Sequence, residues 1–86
     1  MNKRSAKLIS ECAELIQAIY KAERHGWFNW HPLANAGIYN IDDVNHEIED
    51  VQKAIAELQK HLQSKYETLI TIKKKDVQKH DQDGNS

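Results

Sequence analysis

Two pairs of acidic residues, each with a spacing of three, are the groups in this chain best suited to chemistry. Glu11 and Glu14 form the first pair, and Glu47 and Asp50 form the second. Side chains three residues apart lie on one face of an α-helix, one turn apart. Carboxylates that converge repel one another and take up protons, and a hard divalent cation removes that conflict. Oxygen ligands suit Mg²⁺ or Mn²⁺ better than Zn²⁺, and Mg²⁺ commonly shares its shell with substrate phosphates. The pattern therefore predicts a Mg²⁺ site that serves hydrolysis of a phosphoanhydride.

The elements that must position these acids are predicted to be two helices, which makes the fold class all-α. Apolar residues at helical spacing predict a first helix from Lys3 to His25, ended by Gly26. A loop follows over residues 26–41. The second helix is predicted to begin near Asn40, a favourable N-cap, and to continue to about Leu69 or Lys75. Its apolar residues recur in steps of four and three and form a heptad seam: Val44, Ile48, Val51, Ile55, Leu58, Leu62, Tyr66 and Leu69.

The acidic pairs lie at the border of the apolar stripe on both predicted helices. With about 100° per residue, the second acid of each pair falls about 60° from the first, and the apolar stripe begins on the other side. Ala18 and Ala54 each follow the second acid by four residues, and we expect these small side chains to leave open space beside the acids. Antiparallel packing of the helices would let the four carboxylates converge.

A two-helix hairpin cannot enclose a core, because each helix carries one apolar stripe and the pair leaves apolar surface exposed. We therefore expect the hairpin to oligomerise into a four-helix bundle, as a homodimer or homotetramer. The predicted helical domain covers residues 1–75. Residues 76–86 are polar, and we expect them to form a disordered tail.

Composition excludes several classes of protein. The 86 residues carry 12 basic and 13 acidic side chains, a net charge of −1 that offers no general attraction for nucleic acid. No apolar run approaches the roughly 20 residues that span a membrane, and no apolar segment typical of a signal peptide follows Met1. The single Cys12 is predicted to be a small core residue. We expect a cytoplasmic protein.

Candidate substrate contacts lie at the end of the first helix and in the loop. Lys21 and His25 share the acidic face, and Arg24 can reach it from the helix end, so all three are candidate phosphate contacts. Trp27 and Trp30 are candidates for stacking on a base. The alternative for the basic residues is a solvated face, and the alternative for the aromatic residues is a cover over the open end of the bundle.

The segments Glu11-Cys12-Ala13-Glu14-Leu15 and Glu47-Ile48-Glu49-Asp50-Val51 resemble the E-x-x-E…E-x-x-D signature of the MazG-like all-α nucleoside triphosphate pyrophosphatases. The resemblance covers residues 11–58 and is greatest to compact phage and bacterial members. It implies that Glu11, Glu14, Glu47 and Asp50 bind Mg²⁺. It also implies release of pyrophosphate from a (d)NTP or related nucleotide, leaving the monophosphate.

The sequence departs from that family in two places. Many members have a second acid just before the first Glu of the motif, where this chain has Ser10, and the 32 residues between the two motifs are more than many members have. Two other functions stay open beside the hydrolase. One is a non-catalytic helical interaction module that uses the heptad seam, and the other is a nucleotide-binding sensor without turnover.

Overall fold

The computed structural model describes residues 1–29 and 38–84, with side chains described in 1–29 and 38–77. Two helices make up this part of the chain, α1 (Lys3–His25) and α2 (Asn40–Gly84). They pack antiparallel as a hairpin, so the predicted all-α class is confirmed. The bounds of α1 coincide with those expected from its apolar spacing and from Gly26.

Both ends of α1 are capped by local hydrogen bonds. The Asn2 side chain accepts a hydrogen bond of 2.7 Å from the Arg4 amide at the first turn. At the other end the Gly26 amide donates to the Ala22 carbonyl at 2.8 Å. Gly26 has φ +99°, and a Cβ there would come within 2.8 Å of Asn29 Nδ2. Glycine is therefore required at this stop, because a larger residue would meet both backbone strain and a close contact.

Helix α2 is longer than the sequence analysis expected. It continues for 45 residues to Gly84, past the predicted end near Leu69 or Lys75. The physical reason is that no glycine or proline interrupts the chain between Asn40 and Gly84, so nothing breaks the backbone hydrogen bonds. The predicted division into a domain of residues 1–75 and a tail of residues 76–86 stays a prediction, although the helix runs through that boundary.

Small residues make the contact between the two helices. Ala18, Ala22, Val44 and Ala54 are the buried apolar residues of the described chain, each no more than 6% exposed. The expectation that Ala18 and Ala54 leave open space beside the acids stays a prediction. Both alanines are buried, and Ala54 also lines a groove described below. A side chain of one methyl group lets the two backbones approach closely.

Most large apolar side chains lie outside this contact. On α2, residues spaced by seven are between 38% and 43% exposed: Ile41, Ile48, Ile55, Leu62 and Leu69. On α1, Ile9 and Ile16 are 58% and 64% exposed. On α2 the exposed half of the heptad seam is therefore offset from the side that faces α1, whereas Val44 of the same seam is buried in the contact.

The hairpin is elongated, and α2 extends beyond α1. The principal extents are 74 × 19 × 18 Å. Asn2 Nδ2 lies 3.1 Å from His61 Nε2, which sets the N-terminus of α1 level with His61. The described side chains of residues 62–77 are all exposed. Across the part of the chain that the structure describes, neither helix has an apolar stretch long enough to cross a bilayer.

Candidate metal centre

Three of the four predicted acids meet between the helices. Carboxylate oxygens of Glu11, Glu47 and Asp50 all lie within 4.8 Å of one another. Glu11 comes from the middle of α1, and the other two come from successive turns of α2. The antiparallel contact of the helices therefore brings together residues that are 36 or more positions apart in the chain.

Two oxygens of this acidic cluster, which we define as Glu11, Glu47 and Asp50, are buried without a partner. Glu11 Oε2 and Glu47 Oε2 are inaccessible to solvent, and neither has a hydrogen-bond partner among the described residues. The other oxygen of Glu11, Oε1, forms an ion pair with Lys7 Nζ at 3.4 Å. A buried carboxylate oxygen without a donor is costly. These two oxygens therefore mark a place where a cation would be stabilising.

The environment raises the pKa of Glu47. Burial is the largest cause, because it disfavours the charged carboxylate. The negative charges of four neighbouring acids add to it, in the order Glu14, Asp43, Asp50 and Glu11. The acidic cluster thus concentrates negative charge. Among the described side chains, only Lys7 forms an ion pair with it.

Glu14 and Asp43 lie beside the cluster. Glu14, the fourth predicted ligand, is exposed and does not belong to the group of three converging oxygens. Its charge is nevertheless the largest electrostatic influence on Glu47. The sequence analysis did not single out Asp43, whose charge also raises the pKa of Glu47. The spacing of four between Asp43 and Glu47 was the signal that places them on one face.

The arrangement fits a hard divalent cation. Mg²⁺ binds oxygens at about 2.0–2.1 Å and Ca²⁺ at 2.3–2.6 Å, so two ligands on opposite sides of an ion are about 4–5 Å apart. Oxygens within 4.8 Å of one another need only small rotations to share one ion. The donor set is all oxygen, as Mg²⁺ or Mn²⁺ prefers. Glu11, Glu47 and Asp50 are the residues that would hold the ion.

A groove lined by four basic residues, mainly through their carbon chains, begins one turn from the cluster, and we call it the cationic groove. Its volume is about 280 Å³, and its lining includes Lys3, Arg4, Lys7, Lys53 and Ala54. Glu57 also lines it and forms an exposed ion pair with Lys60. Lys7 belongs both to this groove and to the ion pair with Glu11. Positive charge therefore lies directly beside the acidic cluster.

The predicted substrate contacts have different positions. Lys21 and Arg24 are exposed on the last turns of α1. His25 is exposed, and its carbonyl accepts a hydrogen bond of 2.8 Å from Asn29 Nδ2. Trp27 is half-buried and packs against the cluster formed by Ala18, Ala22 and Val44. Trp30 lies outside the described residues.

The position of Trp27 bears on the two roles considered for the aromatic loop. Its contact with the buried residues corresponds to a cover over the end of the hairpin. Its carbonyl also accepts a hydrogen bond of 3.0 Å from the Ile41 amide. Stacking of Trp27 or Trp30 on a base stays a prediction.

Asn40 holds the loop end of the hairpin together, and sequence reasoning had assigned it only a capping role. It is 4% exposed, and its Nδ2 donates to the Gly26 carbonyl at 2.9 Å. Its amide donates to the Asn29 carbonyl at 2.7 Å. These bonds join the end of α1 to the start of α2 and so fix the axial register in which Glu11 meets Glu47.

The fold and site together define a helical hairpin with a buried carboxylate cluster at the helix contact. In comparisons with known proteins, no family model matches the chain, and neither a curated protein nor a solved structure is similar to it.

Proposed function

We propose that this chain is a Mg²⁺-dependent nucleotide pyrophosphohydrolase that cleaves a (d)NTP or a related nucleotide to the monophosphate and pyrophosphate. The observation that carries the proposal is the convergence of Glu11, Glu47 and Asp50, with two buried oxygens that lack a partner. The resemblance of the E-x-x-E and E-x-x-D segments to MazG-like pyrophosphatases supports the same reaction.

The cationic groove supports an anionic substrate. A triphosphate carries more negative charge than one divalent ion neutralises, so side-chain cations must meet the remainder. Lys3, Arg4, Lys7 and Lys53 surround a groove next to the acids. In this proposal they bind the phosphates, while Lys21, Arg24 and His25 stay candidate contacts from the other end of the site.

The acids have separate roles in the proposed reaction. Glu11, Glu47 and Asp50 would hold the Mg²⁺, which would neutralise phosphate charge and lower the pKa of a water bound to it. Glu14, which is exposed beside them, would accept the proton of the water that attacks phosphorus. The attacking oxygen forms a bond to that phosphorus, and the bond to the pyrophosphate oxygen breaks.

The test is a pyrophosphate-release screen of the purified chain with NTPs, dNTPs and modified nucleotides in the presence of Mg²⁺. We expect release from at least one nucleotide, and loss of release in EDTA. We also expect Glu47→Gln to abolish turnover, because the substitution keeps the shape and removes a charge that the cation requires.

Glu49→Gln is the matched control. Glu49 is two positions away on the exposed side of α2, and the substitution changes the net charge equally. It should retain the turnover of the wild type, with the same helical circular dichroism in both variants. Turnover retained in Glu47→Gln, or no release from any nucleotide, would contradict the proposal.

Self-association is part of the proposal. We infer that hairpins pair into a four-helix bundle, because the exposed heptad residues of α2 and the exposed isoleucines of α1 have no cover within one chain. Light scattering at micromolar concentration should give a mass that is a multiple of 10.0 kDa. A monomer mass with intact helical circular dichroism would contradict it.

A non-catalytic interaction module is the second candidate, and one observation favours it. Beyond His61, α2 is exposed on all sides and carries large apolar residues that α1 does not reach: Tyr66, Leu69, Ile70, Ile72 and Val77. A module of this kind would show no Mg²⁺-dependent release and would be unaffected by Glu47→Gln. A nucleotide sensor would instead bind nucleotide with Mg²⁺ and release no pyrophosphate.

A further inference from the structure

Lys7 lies between the acidic cluster and the cationic groove and contacts both. Its Nζ is 3.4 Å from Glu11 Oε1, and its side chain lines the groove together with Lys3 and Arg4. The two contacts lie in opposite directions along α1, because Glu11 follows Lys7 by one turn, whereas Lys3 and Arg4 precede it by one turn. An ammonium in contact with Glu11 is therefore turned away from the end of the groove beside Lys3.

The ion pair with Glu11 is weak enough to be exchanged. The Lys7 side chain is 69% exposed, whereas the Glu11 side chain is 13% exposed. A lysine that precedes its acid by four residues has the less favourable of the two helical orientations. Long side chains in helices also point toward the preceding turn, which for Lys7 is the turn that carries Lys3 and Arg4. Lys7 is thus held at Glu11 mainly by charge, and a competing charge can move it.

In the metal-free protein, Lys7 supplies positive charge that the acidic cluster otherwise lacks. Glu11 Oε2 and Glu47 Oε2 are buried without a partner among the described residues, and in that part of the chain Lys7 forms the only ion pair with the cluster. A divalent cation held by Glu11, Glu47 and Asp50 would replace this charge and would repel an ammonium beside it. The cation and Lys7 therefore compete for Glu11.

The groove offers Lys7 a second position when an anion is bound there. Lys3, Arg4 and Lys53 are the other basic residues of its lining, and none of the three forms an ion pair with a described residue. An oligophosphate in the groove attracts the Lys7 ammonium away from Glu11 and so leaves Glu11 open to a cation. Each ligand thereby improves the site of the other, and such a coupling is reciprocal by thermodynamic necessity.

We propose that Lys7 couples the binding of a divalent cation to the binding of an oligophosphate, by pairing with Glu11 in the metal-free protein and with the anion when a cation takes its place. The proposal rests on the proposed function for the metal and for the substrate class, and it adds a regulation of that same site. An oligophosphate without a cation meets a groove that lacks one of its charges. The site therefore favours the nucleotide with Mg²⁺ over the free nucleotide by more than the attraction between the ion and the phosphates.

The coupling can be measured without metal and without turnover, because Glu11→Gln releases Lys7 as a bound cation would. Inorganic tripolyphosphate is titrated in EDTA, by isothermal titration calorimetry, into the wild type, Glu11→Gln, Lys7→Gln and the double variant. Lys7→Gln should lower the affinity about 2- to 5-fold more in the Glu11→Gln background than in the wild type. The strength of the ion pair limits this ratio, since only an ammonium that is held can be released.

Simple loss of a negative charge gives a different result. If Lys7 were not shared, Glu11→Gln would raise the affinity for the anion by the same factor with or without Lys7, and the two effects would add. Lys53→Gln is the matched control, because Lys53 lines the same groove and forms none of the described ion pairs. Its effect on the affinity should be equal in the two backgrounds.

Titration with Mg²⁺ alone gives an independent measurement. Lys7→Gln should bind Mg²⁺ about 2- to 5-fold more tightly than the wild type, because it removes the competitor for Glu11. Loss of a residue that merely supported the shape of the site would weaken binding instead. Lys3→Gln removes an equal charge one turn further from Glu11 and should leave the affinity nearly unchanged.

Three results would overturn the proposal. The first is an equal effect of Lys7→Gln on tripolyphosphate affinity in both backgrounds. The second is no binding of tripolyphosphate to Glu11→Gln, which would show that the groove is not an anion site. The third is Mg²⁺ binding that Lys7→Gln weakens or leaves unchanged. Neither titration measures pyrophosphate release, so a chain that shows the coupling and releases no pyrophosphate would refute only the proposed reaction.

Discussion

Glu47 combines burial with the charges of four neighbouring acids. Its pKa is raised first by burial and then by Glu14, Asp43, Asp50 and Glu11. An acid with a raised pKa in the folded state contributes stability that is complete below its unfolded pKa and is lost as the pH rises through its folded pKa. In the absence of metal, the charge of Glu47 therefore lowers the free energy of unfolding at pH values above 4.5, the ordinary pKa of a glutamate.

A stability measurement can test this linkage without any activity assay. In EDTA at pH 7, Glu47→Gln should unfold at a higher temperature than the wild type, because it removes a charge that burial and the neighbouring acids disfavour. The difference should vanish below about pH 4.5, where the unfolded glutamate is itself protonated. Thermal unfolding followed by circular dichroism measures both.

Added Mg²⁺ should reverse the order at pH 7, since only the wild type has the full ligand set. Glu49→Gln, which lies on the exposed side, should follow the wild type in every buffer. A Glu47→Gln variant that is less stable than the wild type in EDTA at pH 7 would show that the charge of Glu47 does not destabilise the metal-free protein.

Lys53 is the groove residue best suited to a kinetic test. It lines the cationic groove on α2, three residues after Asp50, and its substitution breaks none of the ion pairs described above. Lys53→Gln should raise the KM for the preferred nucleotide about 3- to 10-fold, because an exposed charge-assisted contact contributes about 1 kcal/mol. Steady-state pyrophosphate release at several nucleotide concentrations measures it.

Lys60→Gln is the control for that substitution. Lys60 is exposed and paired with Glu57 at 3.6 Å, outside the lining of the groove. Its KM should equal that of the wild type. An unchanged KM in Lys53→Gln would assign phosphate binding to other cations, such as Lys21 and Arg24 at the end of α1.

The spacing of single residues predicted which side chains share a helix face. It did not predict how deeply each side chain lies in the contact between the two helices. The spacing of three placed Glu11, Glu47 and Asp50 where the helices meet. The same construction could not give the depth of each side chain, so it did not separate the exposed Glu14 from the other three. That difference arises from how far each side chain points into the helix contact.

At the scale of elements, the loop end of the hairpin depends on Asn40. Asn40→Ala removes the hydrogen bond from Nδ2 to the Gly26 carbonyl, which then keeps only the longer bond of 3.3 Å from the Asn29 amide. The loss should cost about 0.5–1.5 kcal/mol, which corresponds to a fall in Tm of several degrees for a domain of this size. Thermal unfolding of the metal-free protein measures it.

Asn45→Ala is the matched control on the same helix. Asn45 is exposed, and its side chain lies 3.5 Å from Glu49 Oε1, a weak contact in water. Its free energy of unfolding should stay within about 0.5 kcal/mol of the wild type, so its Tm should change little. Equal Tm values for the two variants would show that the Asn40 bond does not hold the helix ends together.

The sequence located the helix ends where a residue type dictates them. Lys3 and His25 bound α1 because Asn2 caps one end and Gly26 stops the other. The C-terminal end of α2 was placed too early, because polar composition was taken as a signal of disorder. Lysine, glutamine and aspartate are polar, yet none of them breaks a helix as glycine and proline do.

At the scale of the whole molecule, the chain has too few buried residues to account for its apolar content. Among the described residues four apolar residues are buried, whereas two sets of residues are exposed, as is the far part of α2. We call these sets the apolar face: Ile9 and Ile16 on α1, and Ile41, Ile48, Ile55, Leu62 and Leu69 on α2. The heptad seam is covered only in part within one chain, because Val44 is buried and Ile48 and Ile55 are exposed. The seam could not show that alanines complete the contact within the hairpin, because that depends on the close approach of two backbones.

Ile16 distinguishes an assembled hairpin from a solitary one. It is 64% exposed in the single chain, so a polar substitution there should be nearly neutral if the hairpin functions alone. In the self-association proposed above it is covered by another copy, and each copy of the variant loses a buried aliphatic side chain worth about 1.5–3 kcal/mol. Because every copy carries the substitution, Ile16→Gln should shift the light-scattering mass at micromolar concentration toward the monomer.

The same variant should change how stability depends on concentration. The Tm of the wild type should rise with protein concentration, since dissociation accompanies unfolding, and the Tm of Ile16→Gln should be lower and independent of concentration. Ser10→Gln introduces the same side chain on the opposite side of α1 and should behave as the wild type does. If Ile16→Gln keeps the mass and Tm of the wild type, the apolar face is not where the two copies meet.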